Sequence, residues 1–470
     1  MRTRWKLSGL LLIVFTCVIA LLSHNFNGGL GNRELSSVLL TVALMAAGSI
    51  FLLSVPRMRR NTATDGAILF LLAVGLAMRL SMFGSPAFFE NDQYRYLWDG
   101  AVLAHGYNPY AYAPQDIIQG APGNVPPALH DLAVEAESIV KKINFPWLKT
   151  IYPPVAQFAF AFAYLLHPWS MDSWRLVLLL FDMATLFILY RTLKRLTISP
   201  LALAIYWWNP LLIKEAYNSG HMELVILPFV TGALLLAIQK QPFRSVGVLG
   251  IAFGAKLWPL ILLPVVLRPL LKRPAKLFGA LALFLTIALI MLFPFIRGGS
   301  DVQSGLLAYG TSWEMNDALF MAILWFSRLV IDLSGLAPLY APLIARMSVV
   351  LALGAWTLWL VRRDSEDPFE ISRRFLFIIA ALFLLSPTQF PWYYLWMVPF
   401  LAIQPRTSLL LLTALLPMYY LREWLRSRGM IHVFDHGIVW LEFAPVWLTL
   451  LLECARASRK STLLGPTASV

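Results

Sequence analysis

Glu90, Asp92 and Asp99 stand within one run of ten residues with Arg95, in the segment Phe88-Phe89-Glu90-Asn91-Asp92-Gln93-Tyr94-Arg95-Tyr96-Leu97-Trp98-Asp99-Gly100. Apolar stretches flank the segment, and charge beside a membrane is costly unless it is used or paired. The three acids can accept a proton, pair with Arg95 or bind a cation, while Tyr94, Tyr96 and Trp98 suit a sugar face or a membrane interface. Acid–base or metal chemistry is the leading expectation. The structural alternative is an interfacial belt whose acids only pair with arginines.

A second polar group follows Trp207-Trp208-Asn209-Pro210, in Lys214-Glu215-Ala216-Tyr217-Asn218-Ser219-Gly220-His221-Met222-Glu223. Lys214, His221 and Glu223 beside a glycine turn suit an anionic head group or a sugar, and Asn218 adds neutral hydrogen bonds. Taken as structure alone, Lys214 and Glu215 would be an exposed pair and His221 a helix cap. A third group is Ser312-Trp313-Glu314-Met315-Asn316-Asp317. A fourth, Ser386-Pro387-Thr388-Gln389-Phe390-Pro391-Trp392-Tyr393-Tyr394, is a proline-bounded aromatic turn able to stack a pyranose ring or a lipid tail. The fifth, Arg422, Arg426, Arg428, His432, Asp435 and His436, puts cations where the loop pattern disfavours them, which suggests an anionic partner such as a lipid phosphate. Arg297, Lys141, Lys142 and Lys149 are further candidates for it. There is no glycine-rich phosphate loop, HExxH or nucleophile elbow, so nucleotide hydrolysis and serine or zinc peptide hydrolysis have no support.

The elements that must position these groups are membrane helices. Of 470 residues, 59% are hydrophobic and 13% charged, and the mean hydropathy is +0.68, far more apolar than a soluble core requires. The net charge of +13 sits in short clusters between apolar runs, as in cytoplasmic loops, so it reads as topology rather than as a nucleic-acid surface. Cys17 and Cys454 lie in apolar segments near opposite ends and signal neither a disulfide framework nor a thiolate metal site. The first apolar run lacks a small-residue cleavage pattern and is expected to be retained as a span. With ~20 apolar residues per crossing, twelve spans are expected: 7–24, 37–55, 66–84, 174–191, 199–215, 221–239, 276–295, 338–361, 372–387, 390–404, 407–421 and 436–454.

Twelve crossings put the clusters Arg57/Arg59/Arg60, Arg191/Lys194/Arg195, Lys240/Arg244, Arg268/Lys272/Arg273/Lys276, Arg362/Arg363/Arg373/Arg374 and Arg456/Arg459/Lys460 on one side with both termini, the cytoplasm. The loops 25–36, 85–173, 216–220, 296–337, 388–389 and 422–435 then face the other way. Stretches 153–167, 245–267 and 315–333 do not fit the alternation and are expected to be re-entrant, interfacial or hairpin-like. Pro153-Pro154 and Gly254-Ala255-Lys256-Leu257-Trp258-Pro259 mark breaks that help to locate a cavity. The chain reads as a single membrane domain, 1–470. Its large outer loop, 85–150, carries the acidic segment at its start, is broken by Gly106, Pro109, Pro114, Gly120, Pro122, Gly123, Pro126 and Pro127, and contains one helix-like piece over 128–142.

The acidic segment after an early span, the long outer loop, Asn108-Pro109-Tyr110, Ile151-Tyr152-Pro153-Pro154, Asn209-Pro210 with Asn218-Ser219-Gly220-His221, and Pro391-Trp392-Tyr393 together resemble the polytopic C-type glycosyltransferases (GT-C fold). The similarity runs from about residue 66 to 405 and is nearest to bacterial mannosyltransferase-like members that use polyprenyl-phosphate sugars. It implies an all-α, GT-C-like membrane protein of the bacterial inner membrane. The implied activity is inverting transfer of a hexose, mannose by resemblance, from a polyprenyl-phosphate donor to a glycan or lipid acceptor on the periplasmic face. It implies a catalytic base in the first outer loop, matched by Asp92 with Glu90 in reserve, because a carboxylate can take the acceptor proton as the hydroxyl attacks. Tyr94, Arg95, Asp99, Asn108, Tyr152, Lys214, Asn218, His221, Glu223, Glu314, Trp392, Tyr393 and Arg422 are expected to bind substrate. No histidine–carboxylate cluster has ligand spacing, so no metal or other cofactor is expected. Besides donor and acceptor, the expected partners are membrane lipids, and no nucleic acid. The competing class is a transporter or flippase for a lipid-linked sugar, which also needs a membrane cavity, cations and aromatics.

Overall fold

A computed structural model describes residues 4–26, 30–59, 63–120, 125–298, 305–335 and 337–463. Arg60, Pro122 and Gly123 lie outside the described residues, as do the side chains of Arg57, Arg59, Ser312, Arg459 and Lys460. Among the described residues the regular structure is helical, apart from one parallel bridge between Met315 and Thr388.

Among the described residues, six helices are long and apolar enough to cross a membrane: Trp5–His24, Leu35–Val55, Met171–Arg195, Pro274–Gly298, Tyr340–Val361 and Ile431–Arg456. They fall on six of the twelve expected spans. A seventh arises if Pro210–Asn218 and Met222–Ile238, which meet at a bend of 102°, count as one broken span. Large apolar side chains on Pro274–Gly298, such as Phe278, Leu285, Ile290 and Phe293, are exposed, as a lipid-facing surface requires. The chain is therefore an integral membrane protein, with six or seven candidate spans among its described residues.

The remaining expected spans take other forms. Stretch 66–84 becomes the 16-residue helix Asp65–Leu80, and 372–387 becomes Pro368–Leu385, whose first turns carry Glu370, Arg373 and Arg374. Stretch 199–215 is a 3-10 turn, Pro200–Leu203, two one-turn helices, Ala204–Trp207 and Pro210–Ile213, and a turn of π-helix, Lys214–Asn218. Pro210 cannot donate to a preceding turn, and the Asn209 side chain accepts from the Leu212 amide at 3.0 Å, which restarts the helix there. Stretches 390–404 and 407–421 are divided at Pro391, Pro399 and Pro417 in the same way. Every residue from 201 to 228 and from 388 to 403 is buried. These two segments touch each other at the centre of the protein. Their apolarity serves protein contact, and irregular backbone at that depth is tolerated because neighbouring helices satisfy it.

The three stretches outside the alternation also form helices. They are Pro154–Leu166, Pro242–Ala255 followed by the turns Trp258–Leu262 and Leu263–Leu267, and Ala318–Ser334. In the outer loop the expected piece over 128–142 is two helices, Pro127–Glu135 and Glu137–Val140. Around them Trp98, Val102, Ile117, Leu129, Leu132 and Ile143 form a satellite core. The helix Asp92–Ala104 joins that core to the main one by lying against Pro154–Leu166. Gly100 sets the approach, since a Cβ there would collide with the Phe160 carbonyl and stand 2.6 Å from its carbon. Gly100→Val is expected to cost about 1–3 kcal/mol by overpacking, read as a lower unfolding midpoint of the purified protein in detergent.

Candidate active site

The acidic segment is held from behind by the second polar group. Asn218 accepts from the Phe88 amide at 3.1 Å and donates to the Ser85 hydroxyl and the Pro86 carbonyl, both at 3.1 Å. Arg175, fully buried, donates to the Ser85 carbonyl, to the Tyr217 carbonyl at 2.6 Å and to Asp172 at 2.6 Å. Phe89 takes a left-handed backbone (φ 66°) and stacks on Tyr420 with ring centroids 5.9 Å apart. Such a conformation is unfavourable for a bulky residue and persists only when its surroundings fix it. The chain turns there into the helix Asp92–Ala104, which places the Asp92 carboxylate at a helix N-terminus, where free amides and the dipole favour negative charge. Asn144 donates to Asp92 at 3.4 Å.

Asp92 opens on a cavity of about 540 Å³. Glu90, Arg95, Tyr152, Glu223, Trp392 and Tyr393 line the same space, although they come from four separate parts of the sequence. Arg95 donates to the Phe145 and Leu148 carbonyls at 3.2 and 2.9 Å and so ties the wall segment 145–148 to the acidic helix. Lys149 and Lys256 bring positive charge to the walls. Lys256 donates to Glu223 at 2.5 Å. The rest is largely aromatic: Tyr393 and Trp396 stack at 4.5 Å, Trp258 and Trp396 at 5.1 Å, and Phe390 and Trp392 at 4.3 Å. Tyr309 and Tyr393 share a hydroxyl hydrogen bond of 2.7 Å. A cavity lined by carboxylates, cations and aromatic rings can hold a sugar joined to an anionic group.

The other expected site residues do not line this space. Asp99 sits behind Arg95 at 3.9 Å and accepts from Gln157 at 3.1 Å. Tyr94 turns to the satellite core, under the Lys142 ammonium. Asn108 donates to the Pro294 carbonyl at 3.1 Å and accepts from the Tyr110 amide at 3.0 Å, as a loop brace. Glu314 pairs with Arg346 at 3.1 Å. Arg422 lies in the first turn of the helix Leu421–Ser427, which follows Tyr419, a wall residue. Asn218 is the clamp described above. Lys214 and Glu215, fully buried and 3.4 Å apart, share the Tyr420 hydroxyl, so the exposed pair that simple structure suggested is not formed. His221 makes no side-chain cap either; its ring stacks on Trp392 at 3.8 Å, with Nε2 3.5 Å from Glu215. Of the extra cations, Lys141 pairs with Glu137 and Arg297 lies over Phe293, so only Lys149 lines the cavity.

Lys256, Tyr309, Trp258, Trp396 and Tyr419 were not among the expected site residues. The break at Gly254–Pro259 marked the place, but only the fold shows that Lys256, in extended backbone between a helix and a 3-10 turn, projects into the space. Among the described residues no group of three or more His, Cys, Asp or Glu is arranged to hold a metal ion.

Burial raises the pKa of all three acids of the opening segment. Glu90 is pushed up to about 8, mainly by desolvation, with Asp92 and Glu215 adding to the rise and Lys214 opposing it. Asp92 is raised by desolvation, against the Asn144 hydrogen bond and the charges of Lys256 and Arg95. Asp99 is raised by desolvation against Arg95. A Glu90 near 8 is mostly protonated at neutral pH and resembles glutamine. Because its folded-state value lies above the unfolded 4.5, its stabilising contribution is complete below 4.5 and is lost as pH rises through 8. Glu90→Gln is expected to match wild type in melting temperature near pH 5 and to exceed it above pH 8, in paired thermal scans.

No curated protein and no solved structure matches the chain. The family model described as alpha-(1->6)-mannopyranosyltransferase, N-terminal domain, matches residues 18–271, more than half of the chain and inclusive of Glu90, Asp92, Glu223 and Lys256. A carboxylate-lined, aromatic-walled cavity inside a membrane protein and a family match across residues of that lining lead to one conclusion: the chain belongs to the alpha-(1->6)-mannopyranosyltransferase family of membrane hexosyltransferases.

Proposed function

We propose that the chain transfers mannose from a polyprenyl-phosphate donor to an acceptor hydroxyl, with inversion, in the cavity bounded by Asp92, Glu223 and Tyr393. The observation that carries this reading is the Asp92 carboxylate at a helix N-terminus on the wall of that cavity. Asp92 takes the proton of the acceptor hydroxyl as its oxygen attacks the anomeric carbon. The bond from that carbon to the phosphate oxygen breaks, and the electron pair leaves with the polyprenyl phosphate. Cations in the wall, Lys149 among them, offset the charge left on the phosphate. Glu90, mostly protonated at neutral pH, has little carboxylate available to act as the base. Tyr152 and the aromatic wall around Tyr393 supply apolar surface to the pyranose, and Trp392, stacked between His221 and Phe390, offers its edge.

In this reading the cavity faces the periplasm, opposite the cationic clusters Arg191/Lys194/Arg195 and Arg362/Arg363/Arg373/Arg374, by the bias of cations toward cytoplasmic loops. The test is incubation of the purified protein in lipid with radiolabelled polyprenyl-phosphate mannose and a membrane extract as acceptor. Mannosylated product is expected. Donor that crosses the bilayer chemically unchanged, with no product, would replace the enzyme by a flippase.

A further inference from the structure

The pair Lys256–Glu223 has features that a structural salt bridge does not need. Glu223 is almost completely buried, its side chain 2% exposed, and its Oε1 accepts from Lys256 at 2.5 Å. Oε2 has no hydrogen-bond partner among the described residues, and Glu223 lines the cavity. A buried carboxylate oxygen without a donor is costly, and the cost is relieved when a ligand hydroxyl supplies one. Lys256 is 22% exposed and does not depend on Glu223 alone. Its ammonium lies 4.2 Å from the ring centre of Tyr393 and 4.9 Å from that of Trp396, so two aromatic faces hold the cation in place if the carboxylate is drawn away.

We propose that Lys256–Glu223 is an exchangeable pair that recognises the two halves of the donor separately. The donor phosphodiester takes the Lys256 ammonium from Glu223, and the Glu223 carboxylate turns to a hydroxyl of the sugar. This deepens the transferase reading and rests on it. An empty site keeps its charges paired with each other, and the intact donor offers both an anion and a hydroxyl. The spent polyprenyl phosphate offers only the anion. It must compete with Glu223 for Lys256 and gives Glu223 nothing in return, so the pair favours release of the spent lipid over release of the donor. Asp92 feels the same cation, since the Lys256 charge restrains the upward pull of burial on its carboxyl.

The pair gives predictions of opposite sign. Glu223→Gln removes the competitor for Lys256 but weakens the grip on the sugar. It is expected to bind short-chain polyprenyl phosphate about 3- to 10-fold more tightly while the KM for the mannosylated donor rises by a similar factor. Lys256→Met is expected to weaken both ligands by about tenfold or more, and polyprenol without phosphate by little. The double variant Lys256→Met/Glu223→Gln leaves no buried charge unpaired and supplies the cation-free readout if Lys256→Met fails to fold. Calorimetric titration of each detergent-purified protein, with labelled transfer assays, reads both quantities. Tighter phosphate binding with a higher donor KM in Glu223→Gln supports the exchange. Equal weakening of both ligands, or no change in either, would make the pair structural. Wild type that neither binds polyprenyl phosphate nor transfers mannose would remove the transferase reading and the inference together.

Discussion

Asp92→Asn is expected to lower kcat by about 10²- to 10⁴-fold, the range that a positioned general base supplies. The KM of the donor is expected to change little. Asparagine keeps the shape of the side chain and can keep a bond to Asn144, but it cannot accept a proton at neutral pH. The loss is therefore expected in kcat and kcat/KM together, the pattern of an interaction made only in the transition state. Wild-type activity should rise with pH as Asp92 deprotonates, and burial places that limb above the usual carboxylate range. Glu90→Gln separates the two acids. With Glu90 pushed up to about 8, the variant mimics the form already present at pH 7 and should retain most of its activity there. The pair of variants, assayed with labelled donor from pH 5 to 9, decides between the carboxylates. Full activity in Asp92→Asn and none in Glu90→Gln would reverse their roles.

The second large effect concerns stability. Arg79 is wholly buried at the end of the helix Asp65–Leu80, just before the chain leaves for the acidic segment. Its guanidinium meets Asp182 at 2.6 Å, donates to the Gly75 and Trp207 carbonyls at 2.9 and 2.8 Å, and lies 3.4 Å from the centre of the Trp207 ring. The hydroxyls of Tyr206 and Tyr217 donate to the same aspartate at 2.5 and 2.7 Å. Four parts of the chain thus meet on one ion pair. Arg79→Met is expected to destabilise the protein by about 3–5 kcal/mol, because a buried carboxylate is left without its counter-charge. Asp182→Asn placed in the Arg79→Met background should recover part of that loss, since the two sites act on one another. Unfolding midpoints of the four proteins of this cycle are the measurement. Independent, additive losses would show that the pair is not the tie between these segments.

Composition and hydropathy settle the membrane class, and they find the six long apolar helices, because a helix facing lipid must be apolar along its length whatever its neighbours. Elsewhere the same rule does not separate a span from a buried segment. Residues 201–228 and 388–403 are as apolar as a span but are wholly buried in protein, where prolines and a π turn are accommodated by neighbouring segments. Window averages carry no information on whether an apolar residue meets lipid or protein.

The acidic segment and the aromatic turn at Pro391-Trp392-Tyr393 stand out in the sequence because their charges and rings are unusual beside apolar runs. What sequence alone cannot assign is which polar residues face the cavity. Asn218 and Asn108 look like ligands of a sugar, yet their amides are engaged by backbone groups more than a hundred residues away. Lys256 is one lysine at a helix break until folding sets it beside Glu223, 33 residues earlier in the chain. The sequence by itself determined the class of solvent, the long helices and the presence of a polar, aromatic centre, since each depends on local composition. Tertiary structure decided which side chains share the cavity and which only brace it, because burial and long-range pairing convert similar residues into different chemistry.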